Sequence, residues 1–246
     1  MAKKLQQRRA YLAELLGRDI TDRRAISHPD LLDEKSLATQ GYDIVAGVDE
    51  VGRGALAGPV AVGIAILRAD IEIPSNLRDS KLLSSHQRDQ LFEILPELCS
   101  HWAVGMAAAD ECDAMGMTRA LGIAARRALD LIDICPEAIL LDGPHDYISG
   151  QLDPTLPATV IPIVGGDNSS CSVAAASVLA KVTRDRLMHK LHAEYPAYDW
   201  EHCVGYSSPQ HMAAISKYGP TPYHRVSWST FRQAPDEQYE QLTLFS

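Results

Sequence analysis

The stretch 44–67, IVAGVDEVGRGALAGPVAVGIAIL, decides how the rest of the chain is read. Two apolar runs flank a glycine-rich segment, and the first run carries two adjacent carboxylates, Asp49 and Glu50, followed by Gly52-Arg53-Gly54. Residues 44–49 are expected to form a short buried strand, and 60–67 a second one after the turn at Gly58-Pro59. A buried strand seldom accepts charge without a partner. A cation touching both carboxylates removes the difficulty, and its other ligands should then stand elsewhere in the chain. Neighbours on a regular strand point to opposite faces, so the strand is expected to twist, bulge or end at this pair.

Outward from this stretch the pattern alternates. A helix is expected over 84–98, with Leu91, Ile94, Leu95 and Leu98 on one face, then a strand over 102–108. A second helix should begin at Asp110 or Asp113 and run to about Ile134, where Pro136 stops it. Strands follow at 138–142 (AILLD) and 158–163 (ATVIPI), then a long helix from about Ser170 to Glu194 and a shorter one over 208–218 that opens with Pro209. This order implies an α/β fold, a mixed sheet flanked by helices. Residues 1–40 read as a partly helical N-terminal extension with a ragged apolar face (Leu5, Tyr11, Leu12, Leu15, Leu16) and a polar continuation without evident chemistry. Residues 41–232 are expected to form the main folded unit, helical from about 197, and 233–246 a polar, flexible tail.

Composition narrows the function class. Of 246 residues, 46% are hydrophobic, enough for a substantial core. No unbroken apolar run reaches the roughly 18 residues of a membrane span, and the basic N-terminus lacks the apolar core of a signal peptide. A cytoplasmic protein with no membrane partner is expected. Five cysteines, an odd number without a C-x-x-C pair, argue for reduced, mostly buried thiols and against a zinc site. The net charge of −9 weighs against a nucleic-acid partner, except that metal-binding carboxylates count as negative only while the metal is absent.

Two further carboxylates stand where strands run out into glycine loops: Asp142 in LLDGP and Asp167 in VGGDNSS. Open α/β sheets bind ligands at such carboxyl ends, so Asp49, Glu50, Asp142 and Asp167 converge if the strands 44–49 and 138–142 are neighbours. Four oxygen donors without His or Cys suit Mg²⁺ or Mn²⁺ rather than zinc. Taken singly, Asp142 and Asp167 read better as turn residues beside glycine; it is the Asp49-Glu50 pair inside an apolar run that a turn does not explain.

GVDEVGRGALAGPV resembles the signature of the ribonuclease HII family, the type 2 ribonucleases H. The likeness continues in order through DSKLLS (79–84), LLDG (140–143), GDNSSCSVAAASVLAKVTRDRLM (166–188), GYSSPQH (205–211) and GPTPYHR (219–225). The resemblance implies an RNase H-like mixed sheet with a helical C-terminal part. It also implies hydrolysis of the RNA strand of RNA–DNA hybrids, nicking 5′ of single ribonucleotides embedded in duplex DNA, and roles in ribonucleotide and RNA-primer removal. The products would carry 3′-hydroxyl and 5′-phosphate ends. It makes Asp49, Glu50, Asp142 and Asp167 the four catalytic carboxylates; phosphodiester hydrolysis by two divalent ions then suits them as ligands, with Asp49 expected to bridge. Gly52, Arg53 and Gly54 would lie against the ribonucleotide, and Tyr206 would sense the RNA-to-DNA junction. One departure stands out: the family's usual Lys-Gly-Asp is Gly165-Gly166-Asp167 here, so a positive charge beside the fourth carboxylate is missing. A type HIII enzyme would carry a larger N-terminal domain than residues 1–40 offer, and a non-catalytic binding protein would show a broken carboxylate set.

Lys81, Lys181, Arg184 and Arg186 are candidate phosphate contacts, with Lys181 and Arg184 on one helix face, although an ordinary solvated basic face accounts for them equally. Ser80 and Ser169 are expected to add hydroxyls toward substrate. His189 and His192 read as a surface pair near a helix end, and His224 as structural. The tail sequence QLTLF resembles the short peptide by which replication and repair proteins dock on a DNA sliding clamp, through Gln241, Leu242, Leu244 and Phe245. A chain ending at Glu240 is expected to lose measurable clamp affinity in a direct binding assay; affinity equal to that of the full chain refutes the assignment.

Overall fold

The computed structural model describes residues 2–17, 28–69, 71–150 and 158–232. In chain order these form α1 (Ala2–Leu16), α2 (Leu32–Thr39), β1 (Val45–Val51), β2 (Val60–Leu67), α3 (Ser85–Leu98), β3 (Cys99–Ala107), α4 (Ala109–Met115), α5 (Met117–Leu131), β4 (Ala138–Asp142), β5 (Thr159–Ile163), α6 (Cys171–Glu194), α7 (Trp200–Cys203), α8 (Pro209–Tyr218) and α9 (Ser229–Arg232). The five strands make one sheet in the order β3-β2-β1-β4-β5. β1 pairs antiparallel with β2 and β2 with β3, whereas β4 runs parallel to β1, and β5 to β4. The expected mixed α/β sheet is therefore present, with the strands 45–51 and 138–142 as neighbours.

Alternation along β1 sorts the two faces. Val48 packs on one side with Leu121, Ala124 and Ala128 of α5 and with Tyr147. On the other side lies α6, so close that a Cβ at Gly47 would run into the backbone of Ser172 and Val173, and one at Gly63 into the Ala176 carbonyl. Glycine in β1 and β2 and a run of small residues in α6 together permit this approach. Ser170 caps α6, its hydroxyl accepting from Val173 N–H at 3.3 Å. The C-terminal helices α7, α8 and α9 gather around Trp200, Tyr198, Met188 and Ile215 in a separate cluster that also takes in Leu56 and Ala57.

Four boundaries differ from the sequence expectation. β1 continues to Val51 rather than stopping at 49, because its pairing with β2 runs on through Val51↔Ala61. β3 begins at Cys99, directly after the C-terminal residue of α3. The single helix expected from 110 or 113 to 134 is two helices broken at Gly116, whose φ is 81°. Asp113 begins neither; its carboxylate accepts from the amide and hydroxyl of Ser227, tying α4 to the C-terminal part.

The N-terminal extension is not a bystander. Leu12, Leu15 and Leu16 of α1 are buried with Leu37, Val45, Leu140, Ile161 and Val173, while Tyr11 is half exposed and the Leu5 side chain lies outside those described. The polar continuation holds α2, and Glu34 on it accepts hydrogen bonds from the Ser170 hydroxyl (2.7 Å), the Ser172 amide (2.9 Å) and the Ser172 hydroxyl (2.8 Å). A carboxylate thus satisfies donors at the N-terminus of the central helix, where the helix dipole also favours negative charge. Replacing Glu34 with Ala strands these donors and is expected to lower the unfolding free energy by about 2 kcal/mol in urea titration.

Candidate active site

Parallel pairing of β1 with β4 sets Val48 opposite Leu141, which brings Asp49 abreast of Asp142. Both side chains leave the sheet on the α6 face, and Glu50 leaves on the other. Of the expected ways out, β1 neither bulges nor ends at this pair, its pairing with β2 running on through Val51↔Ala61. Its pairing with β4 stops at Val48↔Leu141, so past that point no strand separates the two faces on this side. Glu50 consequently bears on Asp142 around the end of β4, and is the charged group that most raises the Asp142 pKa after burial itself.

Asp49 is buried, and its pKa stands well above the ordinary value, first through burial and next through the adjacent Asp142 carboxylate; the Ser177 hydroxyl and the Lys81 ammonium offset this in part. Its Oδ1 accepts from the Glu50 amide at 2.7 Å. Asp142 Oδ1 accepts from Gly166 N–H at 2.8 Å, linking the end of β4 to the short turn 166–168 that carries Asp167. Asp167 is pushed up to about 6 by burial, then by Asp142 and by Asp79. The four carboxylates expected to converge are thus electrostatically coupled around one strand end.

Among the described residues no group of three or more His, Cys, Asp or Glu side chains is already drawn together as a cage. The chemistry of the donors nonetheless fits a divalent cation. Asp49 Oδ2 and Glu50 Oε2 are buried without a hydrogen-bond partner, and mutual repulsion raises the pKa of three of the carboxylates. A hard cation ligated by oxygen answers both.

The Gly52–Gly54 loop follows directly. Gly52 has φ 83°, and a Cβ there would collide with the Arg184 guanidinium, so no other residue fits. Its amide donates to the Tyr206 phenol oxygen at 3.2 Å, joining the glycine loop to the aromatic ring from the segment between α7 and α8. Arg53 is 54% exposed and its Nη1 lies 3.2 Å from Glu50 Oε1.

A family model for ribonuclease HII matches residues 46–231. The chain belongs to the ribonuclease HII family. It is accordingly a metal-dependent endoribonuclease, a hydrolase of phosphodiester bonds. A ribonuclease HII of Streptomyces avermitilis is 47% identical over 205 residues, covering 82% of this chain and 84% of that protein. The crystal structure of ribonuclease H2 from Pyrococcus horikoshii superposes with a TM-score of 0.60 at 30% identity, over 77% of this chain and 95% of that one. RNase HII of Archaeoglobus fulgidus, solved in complex with PCNA, gives 0.64 at 25% identity, over 80% of this chain and all of that one. These neighbours carry the RNase H-like fold implied by the sequence.

The remaining expectations divide. In this family member Lys81 reaches the site, its exposed ammonium 3.5 Å from Asp167 Oδ2 and 3.8 Å from Asp79 Oδ1. A cation therefore does stand beside the fourth carboxylate, supplied from 81 rather than from 165, where a left-handed Gly165 opens the turn. Arg184 is not a phosphate contact. It is fully buried, donating to the carbonyls of Pro59 (2.8 Å), Val204 (2.8 Å) and Ala57 (2.9 Å). Ser80 and Ser169 also turn inward, Ser80 Oγ pairing with Ser177 Oγ at 2.9 Å and Ser169 lying against the Gly166 carbonyl, so neither hydroxyl faces substrate. Lys181 pairs with Asp185 at 2.8 Å, its ammonium 5.8 Å from the centre of the Tyr206 ring. Arg186 lies over Phe92 and beside Asp89 and Glu93.

His189 is exposed, while His192 Nε2 is 3.6 Å from Glu201; the two share no ligand group. Cys99, Cys112 and Cys171 are buried as expected, but Cys135 is exposed; all five thiols are free. No helix among the described residues is long and apolar enough to cross a membrane. Gln241, Leu242, Leu244 and Phe245 lie outside the described residues.

Sequence reasoning missed two groups. Asp79 accepts from Lys81 N–H at 2.9 Å and adds a further carboxylate beside Asp167; the acid in D-S-K was the available signal. The buried Tyr147 phenol bears on Glu50, Asp49 and Asp142 from the α5 face, and nothing in GPHDYISG marks it.

Asp167 sets a pH dependence. In the unfolded chain it ionises near 3.8 and in the fold near 6, so between these values the unfolded state releases a proton that the folded state keeps. The metal-free protein should therefore lose stability as pH rises through that window and remain weaker above it. In EDTA, Asp167→Asn is expected to melt a few degrees higher than the parent at pH 8, with the difference vanishing near pH 4. Mn²⁺ should raise the parent's melting temperature more at pH 8 than at pH 5.

Proposed function

We propose that this enzyme hydrolyses the RNA strand of RNA–DNA hybrids and also nicks duplex DNA on the 5′ side of a single embedded ribonucleotide, leaving 3′-hydroxyl and 5′-phosphate ends. The observation that carries this is the hydrogen bond from Gly52 N–H to the Tyr206 phenol, which ties a sugar-sensing loop to an aromatic ring beside four carboxylates. Asp49, Glu50, Asp142 and Asp167 would hold Mg²⁺ or Mn²⁺, two ions when substrate is bound. Such ions supply positive charge to the phosphoryl oxygens during displacement.

The chain's own groups do the recognition. A 2′-hydroxyl both donates and accepts a hydrogen bond, which distinguishes RNA from DNA at one position. The Gly52–Gly54 backbone can approach the sugar closely and meet that hydroxyl without reading a base. Arg53, half exposed at the rim, is placed for a neighbouring phosphate, and the exposed Lys81 for the strand beside Asp167. Tyr206 stacks on the sugar of the next nucleotide, where a second 2′-hydroxyl would clash, and this favours an RNA-to-DNA junction. The cellular role is removal of ribonucleotides and RNA primers from DNA, in the cytoplasm. The A. fulgidus relative solved with PCNA supports a sliding clamp as partner, and the tail peptide Gln241, Leu242, Leu244 and Phe245 is our assignment of its contact.

A duplex carrying one ribonucleotide in an end-labelled strand tests this. With Mg²⁺ or Mn²⁺ a single nick is expected immediately 5′ of that nucleotide, abolished by EDTA and slowed more than about a hundredfold by Asp49→Asn or Asp142→Asn. Cleavage elsewhere, or near-normal rates in either variant, refutes the proposal.

A further inference from the structure

Behind Tyr206 lies a pair of buried histidines whose protons the surroundings assign. Thr221 N–H donates to His224 Nδ1 at 2.8 Å. A backbone amide can only donate, so this nitrogen accepts, and the proton of a neutral ring sits on Nε2. His224 Nε2 lies 3.1 Å from His211 Nε2 and donates to it. Trp200 Nε1–H, also only a donor, points at the same His211 nitrogen from 3.1 Å. His211 Nε2 is thus an acceptor twice over, and its ring carries its proton on Nδ1, which donates to the Tyr206 carbonyl at 2.8 Å. A second proton on His211 would set N–H against N–H on two sides. Burial accordingly holds both rings below the ordinary histidine pKa, His224 down to about 3.

The segment that His211 holds needs holding. Val204, β-branched, sits at φ 43°, and Gly205 follows at φ 87°. Such backbone persists only where its surroundings over-determine it. Here Arg184 donates to the Val204 carbonyl, Leu56 and Ala57 amides donate to the Gly205 carbonyl at 2.8 and 3.1 Å, and His211 takes the Tyr206 carbonyl. The Tyr206 phenol oxygen then meets Gly52 N–H. The ring is fixed at its backbone by a core histidine and at its tip by the substrate loop.

We propose that His211 is a specificity-determining positioning residue. By donating from Nδ1 to the Tyr206 carbonyl it fixes the ring against Gly52, and so sets the preference for an RNA-to-DNA junction over continuous RNA; His224 holds it in the tautomer that can donate. This rests on the junction-sensing role proposed above for Tyr206.

The test compares kcat/KM on a duplex with one ribonucleotide against a long hybrid, in the full chain. His211→Leu keeps bulk but loses the donor, and should shrink the ratio about tenfold, the worth of one buried hydrogen bond. His211→Asn places an amide N–H where Nδ1 was and should retain most of the preference, whereas His211→Gln offers its amide at the Nε2 position and should not. Should the leucine variant fail to fold, the Asn and Gln pair still decides. ¹⁵N spectra of the parent are expected to show His211 neutral with Nδ1 protonated. An unchanged ratio in His211→Leu or His211→Gln, where Tyr206→Ala abolishes the preference, overturns the inference and leaves the Tyr206 reading standing. Equal losses on both substrates, or an Nε2-protonated ring, overturn it as well. A preference that survives Tyr206→Ala overturns both.

Discussion

Parallel pairing between β1 and β4 places Asp49 beside Asp142 in a buried spot, where after burial itself the Asp142 carboxylate raises the Asp49 pKa by more than the Lys81 ammonium lowers it. Burial and repulsion act in the same sense, and the metal-free fold carries both as strain on its proton equilibria. The remaining acids of the site crowd onto this pair: Glu50 around the open end of β4, Asp167 from the turn after β5, and Asp79 from the far side of Lys81. The repulsion that burial leaves among these carboxylates is what a hard divalent cation would relieve. A site that held its carboxylates comfortably apart would bind cations weakly.

Two buried arginines account for the rigidity around that site. Arg184 and Arg225 are fully buried, with no salt-bridge partner among the described residues, and their guanidinium groups are spent on backbone carbonyls. Arg225 donates to Gly58 O through Nε and Nη2 and to Arg53 O through Nη1. Burial lowers its pKa only to about 10, so it remains charged at neutral pH. A buried charge is tolerated when its donors are satisfied, and a planar fork of five N–H groups suits carbonyls that converge from several segments. The segments so joined are 53–59, 204 and the helix α6 itself. The Gly52–Gly54 loop is thereby fixed by the core beneath it.

α6 is the spine of the whole arrangement. Its early turns must be small to lie on Gly47 and Gly63, its N-terminus is satisfied from outside by Glu34, and its middle carries Lys181 and Arg184 toward Tyr206. The N-terminal extension belongs to this spine through Glu34 and through the Asp30–Ser170 bridge, although the family match begins only at residue 46.

The sequence by itself determined the mixed sheet, the long helix and the four carboxylates, because strand and helix periodicity and the placing of Asp before or after glycine are local signals. It also carried the family, through motifs in unbroken order. It did not determine that β1 runs on past Glu50, that Arg184, Ser80 and Ser169 face inward, that the Lys81 ammonium stands 3.5 Å from Asp167, or that His211 reaches the Tyr206 carbonyl. Nor did it reveal α2, whose key residue Glu34 acts on a helix 136 positions away. These depend on which side of an element a polar group leaves and what stands opposite. Only the packing of remote segments sets that, since an arginine on a helix face has the same local sequence whether it meets phosphate or a ring of carbonyls.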